Sequence, residues 1–232
     1  MTQRIILALL VLLTELSLSK GQQIFESIGY SNGLYKTKED FINKKPSEAR
    51  QLLVKKIELI NDTDSIIRRC YFLDKETNKR IKKIFAVVYN SELYFSNWAI
   101  LEYKNKDDKS LSPASSMNAF VLVTIWGKKY LYAEAGLVNH WQVGLSNGVA
   151  GGVGGIVGSE LGKAIDNSYP STTQFGTGVV WDTKNNEFNI FRNCPDFNEF
   201  IESYPVEKID CKNEVFDLNR VREIIQTINS SN

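Results

Sequence analysis

Residues 120–135 read FVLVTIWGKKYLYAEA, and the reading of this stretch decides the fold. Phe120 to Trp126 is rich in β-branched and aromatic residues, as is Tyr130 to Ala135, and Gly127-Lys128 supplies a tight turn between them. Two such runs about one short turn predict an antiparallel hairpin. The same grammar recurs on both sides. Ile84 to Val88 and Leu93 to Trp98 flank Asn90-Ser91, and Gly178 to Asp182 and Phe188 to Phe191 flank Lys184-Asn185-Asn186. Arg68 to Leu73 is expected to pair with the chain beyond the turn at Lys75 to Asn78, while Ser47 to Ile60 fits helix and strand equally. Successive hairpins imply a mainly antiparallel sheet and exclude a parallel α/β fold.

Helical signals stand at the edges of this sheet. Thr37 caps a short N-terminal helix from Lys38 to Asn43, with Asp40 in its first turn and Pro46 beyond its end. Asp196 is read as the cap of Phe197 to Ser203, stopped by Pro205, and Asp217 as the cap of Leu218 to Ile228. In the latter, Leu218, Val221, Ile224, Ile225 and Ile228 fall on one face. Lys104 to Ser116 reads as a loop. The expected class is α+β: a mainly antiparallel sheet of hairpins with a short N-terminal helix, a glycine-rich apolar helical segment and C-terminal helices.

At 232 residues, with 43% apolar and 24% charged side chains, the chain has the composition of one soluble domain. That excludes a disordered tail, a fibre and a multi-span membrane protein. Its first twenty-one residues read as a signal peptide: Arg4, the apolar run Ile5 to Leu13, then Ser19-Lys20-Gly21. The run is too short to span a bilayer. Export to the periplasm, the outer membrane or the exterior is therefore expected, with residues 22–232 forming one domain. Cleavage after Gly21 removes Arg4, Lys20 and Glu15 and leaves basic and acidic side chains in balance, which gives no overall pull toward nucleic acid. In an oxidising compartment Cys194 and Cys211 are the expected disulfide, and Cys70 is expected to sit half-buried on a strand. With one histidine and no paired cysteine motif, neither a metal nor a cofactor is expected.

The opening Gly33-Leu34-Tyr35-Lys36-Thr37-Lys38-Glu39-Asp40-Phe41, closed by Lys45-Pro46, resembles that of an uncharacterised family of secreted Bacteroidetes proteins. The block KRIKKIFAVVYNSELYF at residues 79–95 is similar to that family's central hairpin, and Gly178 to Ile201 to its C-terminal region. The resemblance implies an envelope location and an antiparallel sheet. It implies no activity and assigns no catalytic or binding residue.

One segment departs from the rest of the chain. Eight of the fifteen glycines lie between Gly144 and Gly162, inside an insertion at about residues 136–165. Gly144, Gly148, Gly151, Gly155, Gly158 and Gly162 step by four, three, four, three and four, so a helix would carry them as a continuous seam. Such glycine zippers let a second backbone approach closely. Eight glycines cost a helix about 8 kcal/mol relative to alanine, so the segment must pack against protein or lipid to be helical. It would pack as a helix or helical hairpin within the fold itself, or against a membrane, an envelope protein or a second copy of the chain; failing these it would be an apolar loop.

Catalytic patterns are weak by comparison. Gly144-Leu145-Ser146-Asn147-Gly148 matches the nucleophile-elbow spacing, but no histidine follows Ser146, and His140 stands only six residues before it. Phosphate-loop and dinucleotide patterns fail near Gly162-Lys163 and Gly152-Val153-Gly154. Glu134 could be a general acid if buried; as the end of a strand it reads as solvent-facing. Arg68-Arg69 and Lys79 to Lys83 read as an exposed basic face. Tyr94, Trp98, Trp126, Tyr130 and Tyr132 form an alternative ligand site, in which neighbouring hairpins present rings that stack on a glycan or a peptide. The leading expectation is a secreted or envelope-associated protein without enzymatic activity.

Overall fold

A computed structural model describes residues 29–59, 67–108, 112–113, 116–138, 177–212 and 216–231. The expected signal peptide, His140, Ser146 and the whole Gly144–Gly162 stretch lie outside the described residues, as does the expected helix there.

The fold is α+β and mainly antiparallel. In chain order the elements are β1 (Gly33–Tyr35), α1 (Lys38–Ile42), β2 (Leu52–Leu59), β3 (Ile67–Asp74), β4 (Ala86–Tyr89), β5 (Glu92–Ser96) and α2 (Asn97–Glu102). Then come β6 (Ser112–Pro113), β7 (Phe120–Ile125), β8 (Tyr130–Ala135), β9 (Leu137–Val138), β10 (Thr177–Asp182), β11 (Glu187–Phe191), α3 (Cys194–Phe200) and α4 (Leu218–Ser230). Among the described residues nine strands form one sheet along the path β1-β4-β5-β7-β8-β10-β11, with β2 and β3 off that path. Strands β6 and β9 make a separate short pair.

All three expected hairpins form. The β4–β5 turn places Asn90 and Ser91 at φ +50° and +66°, the left-handed pair that a two-residue turn matching the sheet twist requires. The α1 capping box also forms: Asp40 N–H donates to Thr37 Oγ1, and Thr37 N–H donates to the Asp40 carboxylate.

Three readings are corrected. Residues 97–102 leave the strand and form α2, because Ser96 Oγ accepts from Ala99 N–H and caps a helix there. Asn193, not Asp196, caps α3; Pro195 is tolerated in the first turn, where no intrahelical N–H is needed, so the helix starts at Cys194. β3 does meet the chain beyond its turn, through the bridge of Leu73 to Arg80, but its long partner is β2. Within Ser47 to Ile60, Leu52–Leu59 thereby resolves to strand.

Strand β7 is where the sheet divides. Its first half, at Phe120 and Val121, has β5 on one edge and β3 on the other. A register shift near Thr124 follows, and the second half pairs with β8. β3 and β8 thus share one edge of β7 end to end. One face of the sheet buries Phe85, Phe95, Leu131, Val179 and Trp181 under α1 and α2. The opposite face carries two separate cores: Leu34, Phe72, Val87, Tyr94 and Phe120 beside β3, and Tyr130, Tyr132, Val180 and Phe191 under α3 and α4.

A close approach fixes the last helix. Asn229 on α4 accepts from Tyr130 N–H at 2.9 Å and donates to Tyr130 O at 3.0 Å. A β-carbon at Gly127 would overlap the Asn229 carboxamide. Gly127→Ala is expected to destabilise by about 2 kcal/mol or more, because it adds overpacking to two lost hydrogen bonds. In an Asn229→Ala background the same change should cost much less. Equal costs in both backgrounds, measured by urea unfolding, would show that the approach is not what constrains residue 127.

Candidate functional site

The most concentrated polar chemistry among the described residues lies at the division of the sheet. Glu134 alternates with Tyr130 and Tyr132 along β8, so it points to the face covered by α4, and it is 4% exposed. Its expected place on the solvent face is therefore corrected. Arg68 on β3 donates from Nη1 to Glu134 Oε2 at 2.8 Å. Arg222 on α4 donates from Nε to Oε1 at 2.7 Å, with Nη2 2.6 Å from the same oxygen. The Tyr132 hydroxyl donates to Oε1 at 3.0 Å. Arg68, read from sequence as exposed, is 11% exposed at its side chain.

This arrangement is a structural lock. Both carboxylate oxygens are engaged, Oε2 by Arg68 and Oε1 by Arg222 and Tyr132, so three elements meet at one side chain. Burial pushes the Tyr132 hydroxyl well above its ordinary pKa, and the adjacent Glu134 charge adds to the effect. Gly178 stands opposite Glu134 in the β8–β10 register; a β-carbon there would meet the Tyr132 hydroxyl at 3.3 Å and Phe191 at 3.2 Å. The glycine leaves room for the phenol to reach the carboxylate. Sequence reasoning missed the cluster because Arg222 is remote in the chain. The usable signal was the parity of Glu134 with two tyrosines on a buried strand.

The five aromatic residues expected to stack on a ligand are not brought together. Tyr94 and Tyr132 are buried at 2% and 0% exposure, Tyr94 in the core beside β3 and Tyr132 with Tyr130 in the core under α4. Trp98 and Trp126 pack against the core on the other face. The five rings are thus distributed over separate cores, with Trp98 and Trp126 only partly buried.

A second clamp lies at the C-terminal side. Cys194 and Cys211 are joined by a disulfide with Cα atoms 5.5 Å apart. Beside it, Asn198 donates to Ile209 O at 2.8 Å and accepts from Ile209 N–H at 2.9 Å, tying residues 209–211 to α3. Cys70 is wholly buried, not half-buried, and burial pushes its thiol up to about 12. The native oxidised chain should therefore give no reactive thiol to an aromatic disulfide reagent, and should yield one only on unfolding. Reducing the disulfide should cost about 3 kcal/mol. A thiol that reacts fast in the native chain would contradict this placement.

Asp108 covers the free edge of β11. Its carboxylate accepts from Ile190 N–H at 3.0 Å, while Asn105 N–H donates to Phe188 O at 2.7 Å. Burial pushes Asp108 up to about 6, outweighing the hydrogen bond and the nearby Arg192 and Lys104 charges. The folded state therefore holds this proton more tightly than the unfolded chain, and stability from this group falls as pH rises from about 4 to about 6. Asp108→Asn keeps an acceptor without the charge. The variant should match the parent near pH 4 and exceed it near pH 7; a constant difference across that window would contradict the shift.

Among the described residues no three His, Cys, Asp or Glu side chains gather as a metal site would require, and no helix is long and apolar enough to cross a membrane. No family model, curated protein or solved structure matches the chain.

Proposed function

We propose that this is an exported, envelope-associated protein without enzymatic activity, in which the sheet is a scaffold and the glycine-rich segment makes the association. The observation that carries this reading is where that segment is attached. Ala135 pairs with Thr177 across the β8–β10 ladder, and Thr177 Oγ1 donates to Leu137 O at 3.1 Å. Residues 139–176 therefore leave and return at neighbouring points of one antiparallel pair. The β8–β10 pairs up to that junction are made by the described residues on either side of it, which supports reading the glycine-rich sequence as an insertion. A glycine-stepped segment with no formal charge from Ala135 to Ser159, attached at one point of an otherwise soluble sheet, supports a role in contact with something else. The Cys194–Cys211 disulfide supports export, since such bonds persist in oxidising compartments.

The test is flotation of the mature chain with zwitterionic phosphatidylcholine vesicles, beside a variant lacking Val143 to Ile165. The intact chain should float and the deletion variant should stay at the bottom. Equal behaviour of the two would remove the segment from any membrane role.

A further inference from the structure

We propose that the outer face of the β2–β3 hairpin, together with the Lys79–Lys83 tract, is a docking surface for an anionic phospholipid membrane. The inference adds a second contact to the envelope reading and does not depend on the glycine-rich segment.

The surface follows from register. Leu53 pairs with Leu73 and Lys55 with Tyr71, so these four side chains share one face, and Leu73 bridges to Arg80 on the next segment. Ile81 N–H donates to Phe72 O at 2.8 Å, which extends the face by one more row. The alternate residues Leu52, Phe72 and Ile81 go inward to the core beside β3. Leu53, Lys55, Tyr71, Leu73, Arg80 and Lys82 remain outside.

The cations are held in place and lack counterions. Ile81 and Ile84 are buried anchors, so Lys79, Arg80, Lys82 and Lys83 are displayed from a fixed backbone. Lys83 adopts φ +51°, a left-handed conformation unfavourable to a residue with a β-carbon. Arg80 lies 3.7 Å from the centroid of the Tyr71 ring. Lys79, Arg80 and Lys82 line one groove with Asn118. Among the described residues Lys55, Lys79, Arg80, Lys82 and Lys83 make no ion pair. The whole chain carries a formal net charge of only +1, so with these five set aside the remainder is net negative. The near-neutral total conceals a segregated charge.

The apolar members choose the partner. Leu53 is 42% exposed, with Tyr71 and Leu73 partly exposed beside it. A ring of lysine and arginine around leucine and tyrosine matches the two layers of a bilayer interface, phosphate outside and acyl chain beneath. A nucleic acid would use the charges and leave Leu53 in water.

The experiment measures binding of the mature chain to phosphatidylcholine vesicles and to mixed phosphatidylcholine–phosphatidylglycerol vesicles. It is repeated for a variant carrying Lys79→Gln, Arg80→Gln, Lys82→Gln and Lys83→Gln, whose folding is checked by its unfolding midpoint. Each basic residue near an anionic surface contributes about a fivefold factor, so the variant, with four removed, should bind mixed vesicles roughly 600-fold more weakly. Leu53→Asp should also weaken binding, and millimolar inorganic phosphate should leave the parent bound. Equal binding of parent and variant to mixed vesicles would overturn the proposal, as would equal binding of the parent to both vesicle types. Release by millimolar phosphate would assign the site to a free anion, and tighter binding to duplex DNA than to mixed vesicles would assign it to nucleic acid; either overturns it. The variant lacking Val143 to Ile165 should keep its preference for mixed vesicles. If the deletion fails to change phosphatidylcholine flotation while the charge variant loses mixed-vesicle binding, the glycine-segment reading falls and this one stands.

Discussion

Glu134→Ala is expected to destabilise the protein by about 3–5 kcal/mol, the range found when one partner of a buried ion pair is removed. The carboxylate is the meeting point of three elements: Arg68 reaches it from β3, Arg222 from α4 and Tyr132 along β8. Without it, two guanidinium groups face each other across a buried gap, and the Tyr132 hydroxyl loses its acceptor. Glu134→Gln keeps the volume and an acceptor for Tyr132 but not the charge, so its cost should be intermediate. Arg222→Ala should cost less than Glu134→Ala, because the Arg222 side chain is 29% exposed and water replaces part of what is lost. Equilibrium urea unfolding reads all three. A Glu134→Ala cost below about 1 kcal/mol would show that the cluster is not a lock.

Trp181→Ala should be comparably severe, about 3–5 kcal/mol, for a different reason. Trp181 lies on β10 at the centre of an aromatic core, with ring centroids 4.8 Å from Phe188, 5.2 Å from Phe85 and 5.8 Å from Phe41. These partners come from β11, from the chain before β4 and from α1, so the indole joins segments far apart in sequence. Truncation leaves a cavity that rigid ring neighbours cannot fill by small shifts. Trp181→Phe should recover a large part of the loss. If alanine and phenylalanine were equally tolerated, the indole would not be the keystone of that core.

The hairpins were legible because period-two patterning and turn chemistry are local. Asn90-Ser91 and Gly127-Lys128 mark their turns without reference to anything distant. The caps at Thr37 and Asp217 were legible for the same reason, since a side chain three or fewer residues away satisfies them. Helix α2 was not, because Leu93 to Trp98 is one apolar run and the serine inside it is the only sign that a helix begins. The attachment of β3 to β7 was not legible either. It joins Arg69 to Val121 and Cys70 to Phe120, and no local pattern specifies so distant a pairing. The site followed the same division. Glu134 could be named from its strand, but its partners Arg68 and Arg222 are 66 and 88 residues away. Lys79 to Lys83 was visible as a charge run. Its neighbours Leu53 and Lys55 join it only through the register of β2 on β3.

Two proposed contacts use different parts of the molecule, the basic face of the β2–β3 hairpin and the glycine-rich segment that follows β9. Both presuppose a sheet that holds itself together. For the insertion this has a direct energetic consequence. Ala135 already pairs with Thr177 across the β8–β10 ladder, so replacing residues 139–176 by a four-residue turn, which shortens the segment to be closed, should leave the fold at least as stable.

Equilibrium urea unfolding of that short-turn variant, with Val138 joined through the turn to Thr177, is the measurement that bears most directly on the scaffold. A single cooperative transition at an equal or higher midpoint than the parent is the expected result. A lower midpoint, or loss of cooperative unfolding, would mean that residues 139–176 belong to the core and are not an insertion into a finished sheet.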